Sequence, residues 1–281
     1  MSEAFRLGAR FRLGLLSEIA VVLGTLLLLF MLVYPTAWVI FASFQTPETM
    51  FVSGRWQFTL QNYVQLLQTG FWKNILNSML ICLVSVGIST VLAVNAAYAF
   101  SRFKFRGKRF LFASVLFGQT FPWIVLVTPM FILCARLGLL NSYTSMILVY
   151  VAVSLPFSIY LLVGYLRAVP KSIDEAAIID GATHLQIIRK IVLPIMMPGI
   201  VATATYSFLL CWSEYLFALA LLSQEEMKTM PLALYAYFGE NTTEWGAVMA
   251  ASALTTLPTL LLFLPLQTTL VSGLSAGSVK Q

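Results

Sequence analysis

The stretch Asn74–Ser101, NILNSMLICLVSVGISTVLAVNAAYAFS, decides the fold class because it contains no charged residue. An α-helix needs about 20 apolar residues to cross the roughly 30 Å of hydrocarbon in a bilayer, and this stretch is longer than that. The whole chain is similar in character: 59% of its residues are hydrophobic and 10% are charged. A soluble domain has about 25% charged residues. One aqueous core cannot bury so much apolar surface, so the sequence predicts a membrane protein.

Other long runs share this character, and together they predict the architecture. Backbone groups in lipid must be hydrogen-bonded within the segment, and the alternating pattern of a barrel strand is absent. We therefore predict an all-α integral membrane protein with six transmembrane helices. The predicted spans are Ile19–Phe44, Asn74–Ser101, Phe110–Ala135, Leu137–Leu166, Ile191–Ser213 and Trp245–Val279. The first run is too long to be the core of a cleaved signal peptide, so we expect it to remain as a span.

The placement of Lys and Arg predicts the orientation. Six spans put both termini on one side of the membrane, and most of the 17 Lys and Arg fall on that side. Because cytoplasmic loops carry an excess of these residues, we expect both termini in the cytoplasm. The net charge of +6 then follows from basic loops and requires no nucleic-acid partner. The predicted cytoplasmic set is Arg6, Arg10, Arg12, Arg102, Lys104, Arg106, Lys108, Arg109, Arg167, Lys171, Arg189, Lys190 and Lys280, and the opposite set is Arg55, Lys73, Arg136 and Lys228.

The residues that usually carry catalysis are scarce. Cys82, Cys134 and Cys211 fall in three different predicted spans, where no pair suggests a disulfide and no spacing suggests a metal. His184 is the single histidine, so it cannot form a metal site or a catalytic triad alone. The phosphate-binding pattern G-x-x-x-x-G-K-[ST] is absent. We therefore predict no metal, no cofactor and no nucleotide hydrolysis by this chain.

A charged segment, KSIDEAAIIDGATHLQIIRKIVLPIMMP at Lys171–Pro198, interrupts the apolar sequence. Ser172 and Glu175 have the spacing of a capping box, in which each side chain bonds a free backbone N–H. Asp174 and Glu175 also place negative charge at the positive end of a helix dipole. Gly181 supplies the left-handed backbone that ends such a helix. The pattern predicts a short helix that ends at this glycine.

A second short helix follows the glycine. Thr183 and Gln186 repeat the capping-box spacing, and Pro194 marks the predicted junction with the fifth span. The first helix is too short to be stable alone in water, so another surface must hold it. Ile178, Ile179 and Ala182 supply an apolar face, and a soluble protein with a groove is the natural partner. A passive connector is the alternative, but two consecutive capping boxes specify more structure than a linker needs.

The segment EAAIIDGA…IVLP resembles the EAA loop of binding-protein-dependent ABC importer permeases. LQNYVQLL, NSMLI, AAYAFSRFKFRGK, CWSEYLFAL and GLSAGSVK are similar to the carbohydrate-uptake branch of that family, and the similarity covers most of residues 55–281. Within that branch the chain resembles the smaller permease of a two-permease pair. Ile188 departs from the pattern, because many members have an aromatic residue there, and Ser213 stands where Asn is common.

The resemblance implies a bacterial inner-membrane subunit and a set of partners. These are a second permease that completes a heterodimer, two ATPase subunits that bind ATP and Mg, and an extracytoplasmic sugar-binding protein. The EAA loop binds a cleft in the ATPase of such importers. The resemblance carries over to Glu175, Ala176, Ala177, Asp180, Gly181 and Pro194, and the predicted coupling loop (residues 167–194) also includes Ser172, Asp174, Ile178, Ile179 and Ala182. The implied domains are a cytoplasmic segment 1–18, a permease domain 19–266 and a cytoplasmic tail 267–281.

Sugar recognition needs amides or hydroxyls for the hydroxyl groups and aromatic rings for the flat C–H faces. Several residues of these kinds lie on the predicted spans, with Tyr150, Ser154 and Phe157 at i, i+4 and i+7. Gln119 and Phe121 stand beside Pro122, where we expect the third span to bend. Ordinary packing is the alternative for each of them. The candidate pathway residues are Gln119, Phe121, Tyr150, Ser154, Phe157, Tyr206 and Ser213.

Two alternative functions remain open, an ion-coupled carrier and an importer of a different solute, whereas an intramembrane enzyme lacks the residues it would need. An ion-coupled carrier would need acidic residues deep in the spans, and only Glu214, which we expect near the outer interface, comes close. An intramembrane enzyme would need a nucleophile with a base or a metal set, and the sequence has neither. Within the importer class, the solute could instead be a peptide or a polyol phosphate.

Asn77 and Asn95 are predicted to form helix-to-helix hydrogen bonds.

Overall fold

The computed structural model describes residues 3–52, 54–239 and 243–278. Lys280 and the end of the predicted C-terminal tail lie outside the described residues. Within the described ranges the chain is built mainly from helices, and an isolated antiparallel β-bridge joins Gln45 to Phe58. The α-helices are α1 (Glu3–Ser43), α2 (Gln61–Gln68), α3 (Phe71–Arg102), α4 (Lys108–Phe117), α5 (Trp123–Arg136), α6 (Tyr143–Ala168), α7 (Ser172–Ile179), α8 (His184–Ile187), α9 (Leu193–Trp212), α10 (Leu216–Leu221), α11 (Met230–Tyr235) and α12 (Trp245–Ser278).

The described residues contain five helical segments long and apolar enough to cross a membrane, and a sixth if the bent pair α4–α5 is one span. This confirms the predicted all-α membrane architecture. The five segments are Glu18–Ser43, Phe71–Arg102, Tyr143–Ala168, His184–Trp212 and Trp245–Leu264. The helix α1 already begins at Glu3, inside the predicted N-terminal segment, and α12 continues past residue 266. The assignment of separate cytoplasmic ends stays a prediction.

The predicted third span is not one helix. The chain bends by 101° between Lys108–Thr120 and Trp123–Arg136. Phe121 and Pro122 have the extended ψ angles 129° and 132°, which break the helix where the bend was expected. Proline lacks the N–H of a helical ladder and disfavours helical backbone at the residue before it, so both residues leave the helical region.

One other predicted boundary was wrong. The fourth span begins at Tyr143 instead of Leu137, because Gly138 (φ 67°) and Asn141 (φ 53°) have left-handed backbone that a helix cannot include. Ser142 then accepts a hydrogen bond from the backbone N–H of Ser145 and caps α6. The segment between the fifth and sixth spans also contains the short helix α11.

The chain divides into two compact units, of which the first comprises Met1–Leu66 and Gly239–Leu254. Most of the short helix α2 belongs to this unit. The Asn62 amide donates 2.9 Å hydrogen bonds to the carbonyl oxygens of Ser43 and Gln45. A side chain at Gly246 would place Cβ 2.3 Å from the Asn62 Oδ1, so only glycine permits this approach. These contacts fix the end of α1 within the unit.

The second unit comprises Leu67–Phe238 and Thr255–Gln281, and its core is the bundle of α3, α6 and α9. The backbone of α9 comes so close to α6 at Gly199 that an added Cβ would lie 2.6 Å from the Tyr165 ring. Each of the three helices contributes side chains to the buried core, for example Ala97 of α3, Leu162 of α6 and Met196 of α9. Ala177 and Ile187 belong to the same core, so the segment between α6 and α9 is packed onto the bundle.

Candidate coupling site and pathway

The helix α7 ends in a Schellman motif at Gly181. The Gly181 N–H donates to the Ile178 carbonyl at 3.0 Å, and the Ala182 N–H donates to the Ala177 carbonyl at 2.9 Å. Gly181 has φ 79°, the left-handed backbone expected there. The helix–glycine–helix pattern is therefore confirmed as geometry. The turn fixes the angle at which the chain leaves α7.

The first predicted capping box was wrong. Ser172 is the first helical residue of α7 and does not cap it, and no side chain caps this end. Lys171 already has helical angles (φ −68°, ψ −24°), and its carbonyl accepts from the Glu175 N–H at 3.1 Å. The helical turn begins directly after Pro170, whose carbonyl accepts from the Ile173 N–H. This early start shifts Ser172 out of the capping position.

The second predicted capping box is confirmed. The Thr183 N–H donates to the Gln186 Oε1 at 2.8 Å, and the Gln186 N–H donates to the Thr183 Oγ1 at 3.4 Å. The helix α8 then continues through a π-helical turn, Ile188–Val192, directly into α9. Pro194 therefore lies at the N-terminus of α9 within a continuous helical segment, and the predicted junction is not a break.

The inner face of α7 is held to α3 by a buried ion pair. The Arg102 Nε donates to the Asp174 Oδ2 at 2.6 Å, and both side chains are more than nine-tenths buried. The Arg102 Nη1 also donates to the Val169 carbonyl at 3.1 Å. Sequence reasoning placed Asp174 at the helix dipole and counted Arg102 only as a loop cation. Because the two residues are 72 positions apart, no local sequence pattern predicted this ion pair.

The helix α8 contacts the same end of α3. The Tyr98 hydroxyl lies 3.4 Å from the His184 Nδ1, and the Phe103 and His184 rings meet edge to face with centroids 5.1 Å apart. The C-terminal end of α3 therefore contacts both helices that flank Gly181. A displacement of the α7–α8 segment would act directly on α3.

The outer face of α7 is open in this chain. Ile179 is 85% exposed and Ile178 is 49% exposed, although both are large apolar side chains. Glu175 and Asp180 are exposed beside them. One face of α7 is buried against the bundle, and the opposite face exposes this apolar patch with its two carboxylates. The site therefore has an anchored inner face and an unpaired outer face.

The pathway candidates of α6 lie in two different environments. Tyr150 and Ser154 are buried and bonded within the chain: the Tyr150 hydroxyl donates to the Glu214 Oε2 at 3.1 Å, and the Ser154 hydroxyl donates to the Ser89 Oγ at 3.1 Å. Phe157 instead packs against Tyr206 of α9, with centroids 4.3 Å apart. Tyr150, Ser154 and Phe157 therefore share one side of α6, but each of them contacts a different part of the chain.

The remaining candidates are more exposed. Tyr206 is 45% exposed, and Phe121 contacts Phe117 edge to face at 5.4 Å. Gln119 donates to the Val153 carbonyl at 3.0 Å and thereby ties the break before α5 to α6. Ser213 donates to the Leu209 carbonyl at the end of α9. The Phe157–Tyr206 pair is the arrangement best suited to stack on a ligand, and sugar contact by all these residues stays a prediction.

Glu214 differs from its expected position. We predicted an acid that need not be buried, but only 5% of Glu214 is exposed. Its carboxylate accepts the Phe217 N–H at 2.7 Å and the Ala218 N–H at 3.3 Å, besides the Tyr150 hydroxyl. It therefore satisfies the first amides of α10 and links that helix to α6. The carboxylate is buried because it accepts these hydrogen bonds and caps α10, and its burial therefore needs no role in ion transport as an explanation.

Asn77 and Asn95, which were both predicted to form helix-to-helix hydrogen bonds, differ from each other. Asn77 bridges elements as predicted: it donates to the Glu226 and Lys228 carbonyls and accepts from the Tyr143 hydroxyl at 2.8 Å. Asn95 donates to Val91 within its own helix and is exposed, so the helix-to-helix bond predicted for it was wrong.

The sequence comparison decides the family. Residues 89–275 match the family model described as the inner membrane component of binding-protein-dependent transport systems. The chain belongs to this family of transport components. The match includes α6 to α9 and thus the whole coupling segment. The resemblance seen in the EAA loop is confirmed, and the chain is a membrane transport subunit and not an enzyme.

Relatives and a solved structure agree with the family assignment. The chain is 34% identical to the diacetylchitobiose uptake system permease DasC of Streptomyces coelicolor, over 89% of this chain and 92% of that protein. It is also 34% identical to the trehalose/maltose transport system permease MalG of Thermococcus litoralis, over 94% and 98%. A bacterial ABC transporter for the polysaccharide alginate has the same fold, with a TM-score of 0.73 at 22% identity over 95% of this chain and 98% of that one.

This transport component shows no metal cluster in the part of the chain that the structure describes. No group of three or more His, Cys, Asp or Glu side chains comes together there. Cys82, Cys134 and Cys211 are free and buried, and each lies in a different helix.

Proposed function

We propose that this chain is one of two permease subunits of an ATP-driven importer for a sugar, with a di- or oligosaccharide or a related carbohydrate as the solute. The relatives that transport diacetylchitobiose and trehalose or maltose support the solute class, since each covers most of the chain. A second permease would form a heterodimer with it, and an extracytoplasmic sugar-binding protein would deliver the solute. The sugar would cross unchanged, so this chain needs no catalytic residue.

The observation that carries this proposal is the two-sided helix α7. Its inner face is fixed to α3 through Arg102 and Asp174, and its outer face exposes Ile178 and Ile179. An apolar helical face beside a bundle is suited to a groove on a soluble partner. In this proposal the partner is one of two ATPase subunits, which bind ATP and Mg themselves.

Transport would then proceed by mechanical coupling. Closure of the ATPases on ATP would move α7 and α8 together, because the Schellman turn at Gly181 fixes their relative angle. The movement would pass to α3 through Asp174 and His184, and to the bundle through the buried Ala177 and Ile187. Packed cores shift between discrete arrangements and do not deform continuously. The bundle would thereby alternate between outward and inward access.

The orientation and the pathway complete the proposal. Both termini would lie in the cytoplasm of the bacterial inner membrane, as the distribution of Lys and Arg predicts. The exposed ring of Tyr206 and the half-buried ring of Phe157 would contact the sugar, and the second permease would supply further contacts. The apolar side chains that α1 exposes along Glu18–Ser43 would face the lipid bilayer or that second permease.

The test is reconstitution of the complete importer in vesicles. The ATPase rate and solute uptake are measured with binding proteins loaded with a panel of sugars, a peptide or a polyol phosphate. We expect uptake to require ATP and to respond to a sugar-loaded binding protein. If only a peptide-loaded or polyol-phosphate-loaded binding protein stimulates the ATPase, that solute and not a sugar is the one transported. Uptake driven by an ion gradient without ATP would contradict the importer and favour the ion-coupled carrier.

A further inference from the structure

The turn between α3 and α4 combines cationic and aromatic side chains in a way that coupling to an ATPase does not explain. We define the basic turn as residues 103–110, with the sequence FKFRGKRF. It joins the ends of two apolar helices, Phe71–Arg102 and Lys108–Phe117, within the second unit. In a membrane protein the ends of such helices reach the polar surface of the bilayer. The basic turn is therefore placed at headgroup level by its connections alone.

Three of the four cations of the basic turn line an open cavity. The cavity has a volume of about 560 Å³ and is lined by Lys104, Phe105, Gly107, Lys108, Arg109 and Phe110. Gly107 has φ 82°, which reverses the chain at this point. The Lys108 amine donates to the Phe103 carbonyl at 3.0 Å and closes the turn. Three positive side chains thus share one concave surface.

The positive charge is not neutralised within the described part of the chain. The two ion pairs found there are Arg102–Asp174 and Lys228–Glu225, and neither includes a residue of the basic turn. Lys108 also interacts electrostatically with Lys171 and Arg167, so further cations add to the field at this cavity. Such a concentration of like charge favours an anion that neutralises it.

The apolar side chains indicate where that anion comes from. Phe110 is 75% exposed, and Phe103 and Phe105 are exposed beside the cations. Aromatic side chains with nearby Lys or Arg are typical of the interface between headgroups and acyl chains. A free phosphate would neutralise the cations but leave these rings in water. A lipid supplies the phosphate and the apolar surface in one molecule.

We propose that the basic turn is a binding site for the phosphate headgroup of an anionic phospholipid. Lys104 and Arg109 contact the phosphodiester, Lys108 holds the turn in shape, and Phe110 lies against the first part of the acyl chains. The residues that line this cavity lie outside the proposed coupling loop, and the site does not depend on the identity of the transported solute. It would also fix the break before α5 relative to the membrane surface.

The test uses the importer complex in nanodiscs of phosphatidylcholine and phosphatidylglycerol at about 3:1. Retained phosphatidylglycerol is measured by native mass spectrometry after stepwise delipidation. The test variant is Lys104→Gln/Arg109→Gln, whose two side chains form no hydrogen bond or ion pair in the described structure. The control is Arg189→Gln/Lys190→Gln, which removes two exposed cations that lie outside the cavity.

We expect the test variant to lose retained phosphatidylglycerol by roughly tenfold, since each Lys or Arg near an anionic surface contributes a several-fold factor in binding. The control should retain it like the unmodified chain. Equal retention by test variant and unmodified chain would overturn the proposal. Loss of the ATPase subunits with unchanged lipid would also overturn it, because the basic turn would then bind that protein.

A measurement on the unmodified chain tests the proposal even if the test variant fails to fold. Retention of phosphatidylglycerol over phosphatidylcholine is compared at about 0.1 M and about 1 M salt, between which the Debye length falls from roughly 10 Å to roughly 3 Å. We expect the preference to fall at high salt. A preference that is absent at low salt would contradict the headgroup site.

Discussion

The Nε of Arg102 at the end of α3 lies 2.6 Å from the Oδ2 of Asp174 in α7, and both side chains are buried. The two residues are 72 positions apart in the sequence. Their ion pair gives the proposed coupling helix a fixed attachment to the transmembrane bundle. The pair explains how a helix of 8 residues can be stable while its apolar outer face stays exposed.

Replacing Arg102 should leave a buried carboxylate without its partner. We expect Arg102→Gln to destabilise the complex by about 3–5 kcal/mol and to lower uptake per ATP hydrolysed. Arg102→Gln/Asp174→Asn should recover part of the stability, because no buried charge is left unpaired. The control is Lys228→Gln, which breaks the more exposed Lys228–Glu225 pair and should cost at most about 1 kcal/mol. Thermal unfolding in detergent measures the difference, and equal losses for Arg102→Gln and Lys228→Gln would count against the attachment.

Substitution of Gly181 should uncouple hydrolysis from transport. Valine in left-handed backbone costs about 1–2 kcal/mol, so Gly181→Val should distort the turn that fixes α8 against α7. Gly138→Val is the matched control, because Gly138 also has positive φ and open space around it but lies outside the coupling segment. We expect lower uptake per ATP only for Gly181→Val. Normal coupling in that variant would refute the role of the turn.

Reversal of charge on the outer face of α7 should weaken the ATPase. Glu175 is exposed beside the apolar patch, so Glu175→Lys should lower the affinity for the ATPase subunit on the order of tenfold. Glu226→Lys, another exposed acid far along the chain, serves as the control. Binding of purified ATPase to the permease pair in nanodiscs measures both. An unchanged affinity in Glu175→Lys would argue that this face is not the interface.

The aromatic pair on α6 and α9 should affect sugar handling. Tyr206→Ala removes the exposed ring that packs on Phe157 at 4.3 Å, and a lost aromatic contact is worth about 0.5–1.5 kcal/mol. We expect the uptake KM for the sugar to rise by about 2- to 10-fold, with the ATPase still bound. Phe131→Ala, another exposed ring, is the control. Identical uptake of every sugar tested would remove the pair from the pathway.

The contact between α9 and α6 offers a test of packing alone. A Cβ at Gly199 would lie 2.6 Å from the Tyr165 ring, so Gly199→Ala should destabilise the bundle by about 1–3 kcal/mol. Gly164→Ala should be neutral or stabilising by up to about 1 kcal/mol, because nothing lies within 4 Å of its Cβ position and alanine favours helices. Thermal unfolding of both variants measures the contrast, and similar values would contradict the close approach.

Local sequence signals predicted much of the fold. The apolar runs predicted the helices that span the membrane, Gly181 predicted its left-handed turn, and Thr183 with Gln186 predicted a cap. These features depend on neighbouring residues. The pattern at Ser172 failed because backbone carbonyls at Pro170 and Lys171 already served the first turn, which the side-chain spacing does not show.

Contacts between distant residues were beyond the reach of the sequence. Arg102 and Asp174 each had a plausible local role, and only the packing of α7 on α3 brings them together. Glu214 is buried because the amides of α10 and the Tyr150 hydroxyl converge on it. Helical spacing placed Tyr150, Ser154 and Phe157 near one face of α6, but it could not show that two of them are covered by neighbouring helices.

The central claim is that the outer face of α7 binds an ATPase subunit, and a cross-link tests it most directly. Ile179→Cys introduces a thiol at a side chain that is 85% exposed, while the native cysteines are buried. A short bifunctional reagent is applied to the active importer, with Tyr235→Cys as an exposed control on α11. We predict a cross-link to the ATPase from Ile179→Cys and none from Tyr235→Cys. An active complex in which Ile179→Cys forms no cross-link to the ATPase would contradict the account.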